Sequence, residues 1–170
     1  MNFSFSSNTT KEQVFTEIRE QLISQNFSII NDETRPWGGF LVIDEQQAQK
    51  FIEKYFPCLK SEEIGTKNKL SPKILIVEAG KRLSWQYHYR RSEIWMVIGG
   101  KVGVIKSDTD QESAINLYQT GDMINLKQGE RHRLVGIDSW GIVAEIWQHT
   151  NSDFPSNEED IVRLSDDFGR

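Results

Sequence analysis

The 170-residue chain has a single cysteine, Cys58. One thiol excludes an internal disulfide and fits a reducing compartment, so a cytoplasmic location is expected and Cys58 reads as a small apolar residue. Basic charge is not in excess: 20 Lys and Arg stand against 25 Asp and Glu, giving a net charge of −5. That balance argues against general nucleic-acid binding, which needs a basic face. Long apolar runs are missing too. Residues 1–10 have neither the basic start nor the apolar stretch of a leader, and no segment suits a membrane span. There is no internal repeat and no low-complexity tract. Gly99-Gly100 lacks the strand-to-helix setting of a phosphate cradle and reads as a turn.

What is present is enough for one domain with a sizeable core. Five Trp and nine Phe suggest a well-packed interior, an aromatic-lined pocket or a subunit interface. Residues 1–9 read as a loose end. Thr10-Lys11-Glu12-Gln13 has the form of a capping box, and Val14, Phe15, Ile18 and Leu22 then give an amphipathic helix. A second helix opens at Asp44, carries Ala48, Phe51, Ile52, Tyr55 and Phe56 on its apolar stripe, and stops at Pro57. Beyond residue 72 the pattern changes to short β-rich runs at 74–77, 83–89, 94–98, 102–105, 115–118, 123–126, 132–135 and 142–147. Frequent Gly and polar turns separate them, which predicts a sandwich or small barrel. The tail, 157–170, holds Ile161, Val162, Leu164 and Phe168 and is expected to pack back onto the body.

Chemistry concentrates in Gln86-Tyr87-His88-Tyr89-Arg90-Arg91-Ser92-Glu93-Ile94-Trp95, with His132 about forty residues later. Strand alternation groups Gln86 and His88 with Ser84 and Arg90 on the inward face, leaving Trp85 and Tyr87 outward. An inward Glu93 carries Trp95 and Val97 inward and turns Ile94, Met96 and Ile98 outward. Both faces are then apolar, so the outer one needs the N-terminal helices, a second subunit, or both to cover it. A homodimer is expected on that ground. Gln86, His88, Glu93 and His132 form a mixed N/O donor set for one divalent ion, zinc first, with iron, manganese, cobalt or nickel also suited. Glu145 stands alone in an apolar strand and is either a paired structural carboxylate or a site acid/base with a raised pKa. Arg131 and Arg133 alternate away from His132 and read as solvated.

The spacing resembles the cupin superfamily. Its first motif runs Gly, five residues, His, one residue, His, three or four residues, Glu, six residues, Gly; here Gly80, Gln86, His88, Glu93 and Gly100 fall in step, with Gln in place of the first His. Its second motif is met by Gly121, Gly129 and His132, with Lys127 at the Pro position. The chain is more closely similar to type II mannose-6-phosphate isomerases. Three motifs carry that likeness: Arg35-Pro36-Trp37-Gly38, the segment from Leu83 to Trp95, and Asp160-Ile161-Val162-Arg163 followed by Asp166-Asp167-Phe168-Gly169-Arg170. Three positions where that family usually has histidine hold Tyr89, Arg90 and Ile94.

The resemblance implies an all-β cupin double-stranded β-helix, a jelly-roll barrel, with two N-terminal α-helical additions. One cupin domain would span 1–170: an N-terminal helix in 1–33, an opening strand and inserted helix in 34–72, the barrel core in 73–150, and a tail packed on the barrel in 151–170. It also implies aldose–ketose isomerisation of a small sugar phosphate, such as mannose 6-phosphate to fructose 6-phosphate. The metal would be held by Gln86, His88, Glu93 and His132, the phosphate by Arg82, Arg90 or Arg170, and the proton moved by Glu145 or Lys81. The replaced histidines keep two other readings open: another cupin activity on a sugar phosphate or nucleotide sugar, and a non-catalytic sugar-binding regulator.

Overall fold

The computed structural model describes residues 3–59, 64 and 69–169. Among these, eleven strands form two antiparallel sheets, with two α-helices near the N-terminus. Helix α1 (Lys11–Ser24) starts as the sequence predicts: Gln13 N–H donates to the Thr10 hydroxyl, and Thr10 N–H donates to the Gln13 side-chain oxygen. Helix α2 (Ala48–Tyr55) follows a 3-10 turn at Glu45–Gln47, which Asp44 caps through Gln46 N–H.

The first sheet comprises β1 (Ile29–Arg35), β2 (Gly38–Ile43), β3 (Leu70–Val77), β5 (Arg91–Gly99), β8 (Met123–Leu126) and β10 (Gly141–His149). Its order is β1-β2-β3-β10-β5-β8. The second comprises β4 (Trp85–His88), β6 (Lys101–Ser107), β7 (Asn116–Gln119), β9 (Arg131–Gly136) and β11 (Ile161–Ser165), in the order β11-β4-β9-β6-β7. Two facing antiparallel sheets make the expected jelly roll.

The predicted alternation in β5 divides the interior into two cores. Ile94, Met96 and Ile98 pack with Ile74, Ile142 and Ile146 under Val14, Phe15, Ile18 and Leu22 of α1 and Phe51 and Ile52 of α2. Trp95 and Val97 lie on the other face, between the sheets, with Val102, Val104, Leu126 and Leu134. The expectation of a homodimer rests on the outward face, and the chain's own helices fill it. None of the described helices is long and apolar enough to cross a membrane.

Four local expectations need correction. Phe3 and Phe5 are buried, and Phe3 N–H donates to Ile98 O, so the N-terminal stretch is anchored from Phe3 onward. The single opening strand is a hairpin, β1 and β2, closed by Pro36-Trp37. Gly38 follows at φ +140°, where a Cβ would stand 1.9 Å from Ile76 O, so only glycine lets β2 lie against β3. Cys58 is exposed rather than packed. Arg133 is buried: the 108–114 loop folds over the outer face of the second sheet, Glu112 pairs with Arg133 at 2.6 Å, and Trp85 Nε1 donates to Asp110 O. The tail does pack back, as β11 pairing with β4.

Candidate metal centre and its cleft

Register brings the donors together from both sheets. On the second sheet Gln86 pairs with His132, and His88 ends β4 two residues beyond Gln86 on the same face. On the first sheet Glu93 lies in β5, opposite Trp147 of β10. Ligand atoms of His88, Glu93 and His132 all lie within 4.8 Å of one another, and all three residues are buried.

Hydrogen bonds fix where their lone pairs point. His132 Nδ1 faces Glu130 O at 2.9 Å; a carbonyl only accepts, so Nδ1 carries the hydrogen and Nε2 of the neutral ring is left bare. That Nε2 is buried, lies 3.5 Å from Glu93 Oε2, and has no hydrogen-bond partner among the described residues. His88 Nε2 lies 3.0 Å from Arg91 Nη2, which only donates, so this nitrogen is the unprotonated one and its lone pair accepts from Arg91, 3.2 Å from Glu93 Oε1. Donors at metal-ligand distance from one ion lie roughly 3.0–3.5 Å apart. A bare imidazole nitrogen facing a carboxylate oxygen at that separation is repulsive without a cation between them. The residues therefore fit a divalent ion. Gln86 lines the same cleft, but its Oε1 accepts from Ser84 Oγ at 2.6 Å.

Charge is set by burial and by Arg91. Burial pushes the Glu93 carboxyl up, yet the charge of Arg91, whose Nε is 2.7 Å away, outweighs it and holds the group well below the ordinary carboxylate range. Burial takes the His88 imidazole down to about 4, so it is neutral at physiological pH. Glu145 behaves oppositely: burial, reinforced by the negative charge of Glu93, pushes it up to about 8. Trp95 Nε1 reaches both carboxylates, Glu145 Oε1 at 2.9 Å and Glu93 Oε2 at 3.1 Å. The row Lys73–Glu145–Trp95 across β3, β10 and β5 forms the floor of the cleft.

The cleft has a volume of about 230 Å³ and is open to solvent. Trp37, Phe40, Trp95 and Trp147 supply its aromatic walls. Arg35, Lys73, Arg91 and Arg163 line it against Glu93, Glu145 and Glu158. With Glu145 protonated, four cations face two carboxylates, a positive cleft in a chain of net charge −5. Such a surface concentrates anionic ligands.

Other expected site residues lie elsewhere. Lys81 is exposed in the turn before β4 and is not part of the cleft lining. Arg82 is held by Asp167 through two hydrogen bonds, 2.6 and 2.9 Å. The chain bends after His88, so alternation fails at Arg90, which instead donates to Pro155 O and Asn157 Oδ1. Arg170 lies outside the described residues. Tyr89 is exposed and Ile94 packs in the helix-side core, so the positions that depart from the family pattern do not line the cleft.

Neither Arg91 nor Lys73 is assigned to the site from sequence. Both carried a signal: Arg91 is two residues before Glu93 and so shares its face, and Lys73 interrupts an apolar strand as Glu145 does. Lys73 is buried between the rings of Phe40 and Trp147 and pairs with Glu158 at 2.7 Å.

Comparison with known proteins gives a consistent neighbourhood. The profile of a family described as mannose-6-phosphate isomerase C-terminal matches residues 44–166. A mannose-1-phosphate guanylyltransferase of Salmonella montevideo is 22% identical over 161 residues, 94% of this chain and 32% of that protein. A putative mannose-1-phosphate guanylyltransferase of Vibrio cholerae is 29% identical over 119 residues, 67% of this chain and 23% of that protein. The chain thus spans a third or less of these curated relatives. Among solved structures, oxalate decarboxylase of Bacillus subtilis at pH 4.6 superposes with TM-score 0.56 at 14% identity, over 79% of this chain and 30% of that one. The Lactobacillus farciminis oxalate decarboxylase formate complex gives 0.53 at 16% identity, over 79% and 33%. At these identities the likeness is one of fold, the cupin barrel.

Proposed function

Because the chain belongs to the mannose-6-phosphate isomerase C-terminal family and folds as a cupin, we propose that it is a metal-dependent aldose–ketose isomerase acting on a sugar phosphate. Mannose 6-phosphate and fructose 6-phosphate are the leading pair. One observation carries this reading: Glu93, on which the buried donors of His88 and His132 converge, lines a positive cleft together with the isolated carboxyl of Glu145.

His88, Glu93 and His132 would hold the ion, with Gln86 beside them. A bound divalent ion supplies Lewis-acid stabilisation of the negative charge that develops on substrate oxygens. The chain's own residues do the rest. Glu145 holds a proton at its carboxyl near neutral pH, which suits a group that must give and take one between C1 and C2 by way of an enediol. Trp95 Nε1–H fixes the carboxyl through Oε1. Trp37, Phe40 and Trp147 wall the cleft and limit water around the reacting carbons. The positive rim attracts the phosphate.

The departures at Tyr89, Arg90 and Ile94 point away from the cleft, which favours isomerisation over a changed cupin chemistry. Elemental analysis after gentle purification, followed by a coupled assay for fructose 6-phosphate, tests the reading. Wild type should retain about one divalent ion per chain and turn over, and His88→Ala should lose both. If metal-loaded wild type isomerises neither mannose 6-phosphate nor any of a panel of other aldose phosphates, the proposal is wrong.

A further inference from the structure

We propose that Arg163 is the phosphate-binding residue of this cleft, an assignment that deepens the isomerase reading and rests on it for the identity of the substrate. Its position follows from strand register. Arg163 of β11 pairs with Gln86 of β4, and Gln86 pairs with His132 of β9. Paired residues share a face, so Arg163, Gln86 and His132 form one row across the second sheet, turned toward the cleft. Arg163 and Ile161, two residues apart on one strand, both line the cleft.

Distance favours a phosphorylated hexose. Strands lie about 4.8 Å apart, so Arg163 stands two strands, roughly 10 Å, from His132 at the backbone. An extended six-carbon chain separates its C1–C2 end from its phosphate by roughly 7–8 Å, judged from bond lengths. A sugar with its reacting end at His88, Glu93 and His132 would thus bring its phosphate under Arg163, with the flexible arginine stem covering the difference.

Charge singles out Arg163 among the cleft cations. Arg35 is paired with Glu33, Lys73 with Glu158, and Arg91 with Glu93. Arg163 is exposed at the rim, and no hydrogen bond or ion pair ties its guanidinium to another described residue. The one carboxylate beside it in the cleft, Glu158, is already matched by Lys73. A free guanidinium at a solvent-open rim is suited to bidentate capture of phosphate oxygens. Arg82 and Arg90 are held by Asp167 and by Asp160 and Asn157.

Tryptophan fluorescence gives a direct readout, because Trp37, Trp95 and Trp147 line the cleft. The metal-loaded 170-residue chain is titrated with inorganic phosphate, fructose 6-phosphate and unphosphorylated fructose. Wild type should bind both phosphates. Arg163→Met should weaken both by roughly tenfold to a hundredfold, the range for loss of a charged hydrogen-bonding group. Fructose binding should be unchanged, Arg163→Lys should restore part of the loss, and Arg82→Met should bind like wild type. Phosphate affinity equal in Arg163→Met and wild type overturns the assignment while leaving the isomerase reading intact. A wild type that binds neither phosphate overturns the assignment and the isomerase reading together. Phosphate binding that depends on Arg163 in a protein without isomerase activity would keep the assignment and sink that reading.

Discussion

Arg91 Nε donates to Glu93 Oε1 at 2.7 Å, and the two side chains are only 1% and 2% exposed. The same guanidinium reaches His88 Nε2 and Ser156 Oγ, and lies 3.5 Å from the ring centre of Trp147. It is the cation that lets Glu93 stay ionised in the interior. Arg91→Met keeps much of the volume and removes the charge. Breaking a buried pair on one side costs about 3–5 kcal/mol, and that loss should appear in urea unfolding of the chelated protein. Saturating zinc should recover part of it, because an ion bound only by the folded state stabilises that state. A loss below about 1 kcal/mol would show that the pair is not what holds Glu93.

Glu145→Gln separates chemistry from stability. The change is nearly isosteric and should lower kcat by roughly 10²–10⁴-fold, the usual contribution of a positioned proton carrier, with metal content unaltered. Stability should move the other way. The unfolded carboxyl ionises near its ordinary 4.5, whereas the folded one keeps its proton to about 8. Folding of wild type therefore becomes less favourable as pH rises between those values. The glutamine variant lacks that slope, so its advantage in melts of chelated protein should be larger at pH 8 than at pH 5. Lys81→Ala, at an exposed turn, should leave kcat within about twofold.

How legible this was in the sequence depended on the range of the interaction. Alternation needs only neighbouring residues, so the inward set Gln86, His88, Glu93 and Trp95 could be read directly, as could the need to cover Ile94, Met96 and Ile98. The capping box at Thr10 is equally local. Arg82 and Arg90 were misplaced because their partners, Asp167 and Asp160, are about seventy or more residues away, and no periodicity reports such pairings. Lys73 and Arg163 are in the cleft for the same long-range reason: one by register with Glu145, the other by register with Gln86.

Metal removal should be visible without any assay of activity. With free zinc at a hundredfold excess over its Kd, binding adds about 2.7 kcal/mol to the folded state. Chelation should remove that increment from wild type and change His132→Ala much less, because the variant lacks one of the three convergent donors. Equal melting temperatures for wild type with and without chelator, across micromolar to millimolar zinc, would argue against a site at these residues.

A third buried histidine predicts acid sensitivity away from the metal donors. His149 accepts Ser156 N–H at Nδ1, 2.9 Å, so its hydrogen lies on Nε2 and points to Ser71 Oγ at 2.8 Å. Ser71 in turn donates to Glu45 Oε1 at 2.5 Å. Both ring nitrogens are satisfied only in the neutral form, and a proton added at Nδ1 would face the Ser156 N–H. Burial, aided by the positive charge of Lys69, takes the ring from its ordinary 6.5 down to about 4. The unfolded chain binds this proton near pH 6.5 and the folded chain only near pH 4. The stability His149 contributes is thus whole above pH 6.5 and is lost as pH falls toward 4, at up to about 1.4 kcal/mol per pH unit. His149→Gln retains an acceptor and a donor but cannot titrate. Between pH 6.5 and 5, before most carboxylates take up protons, its stability should fall less steeply than that of wild type by up to one proton's worth of slope. Parallel slopes for the two proteins would mean that His149 does not stay neutral in the fold.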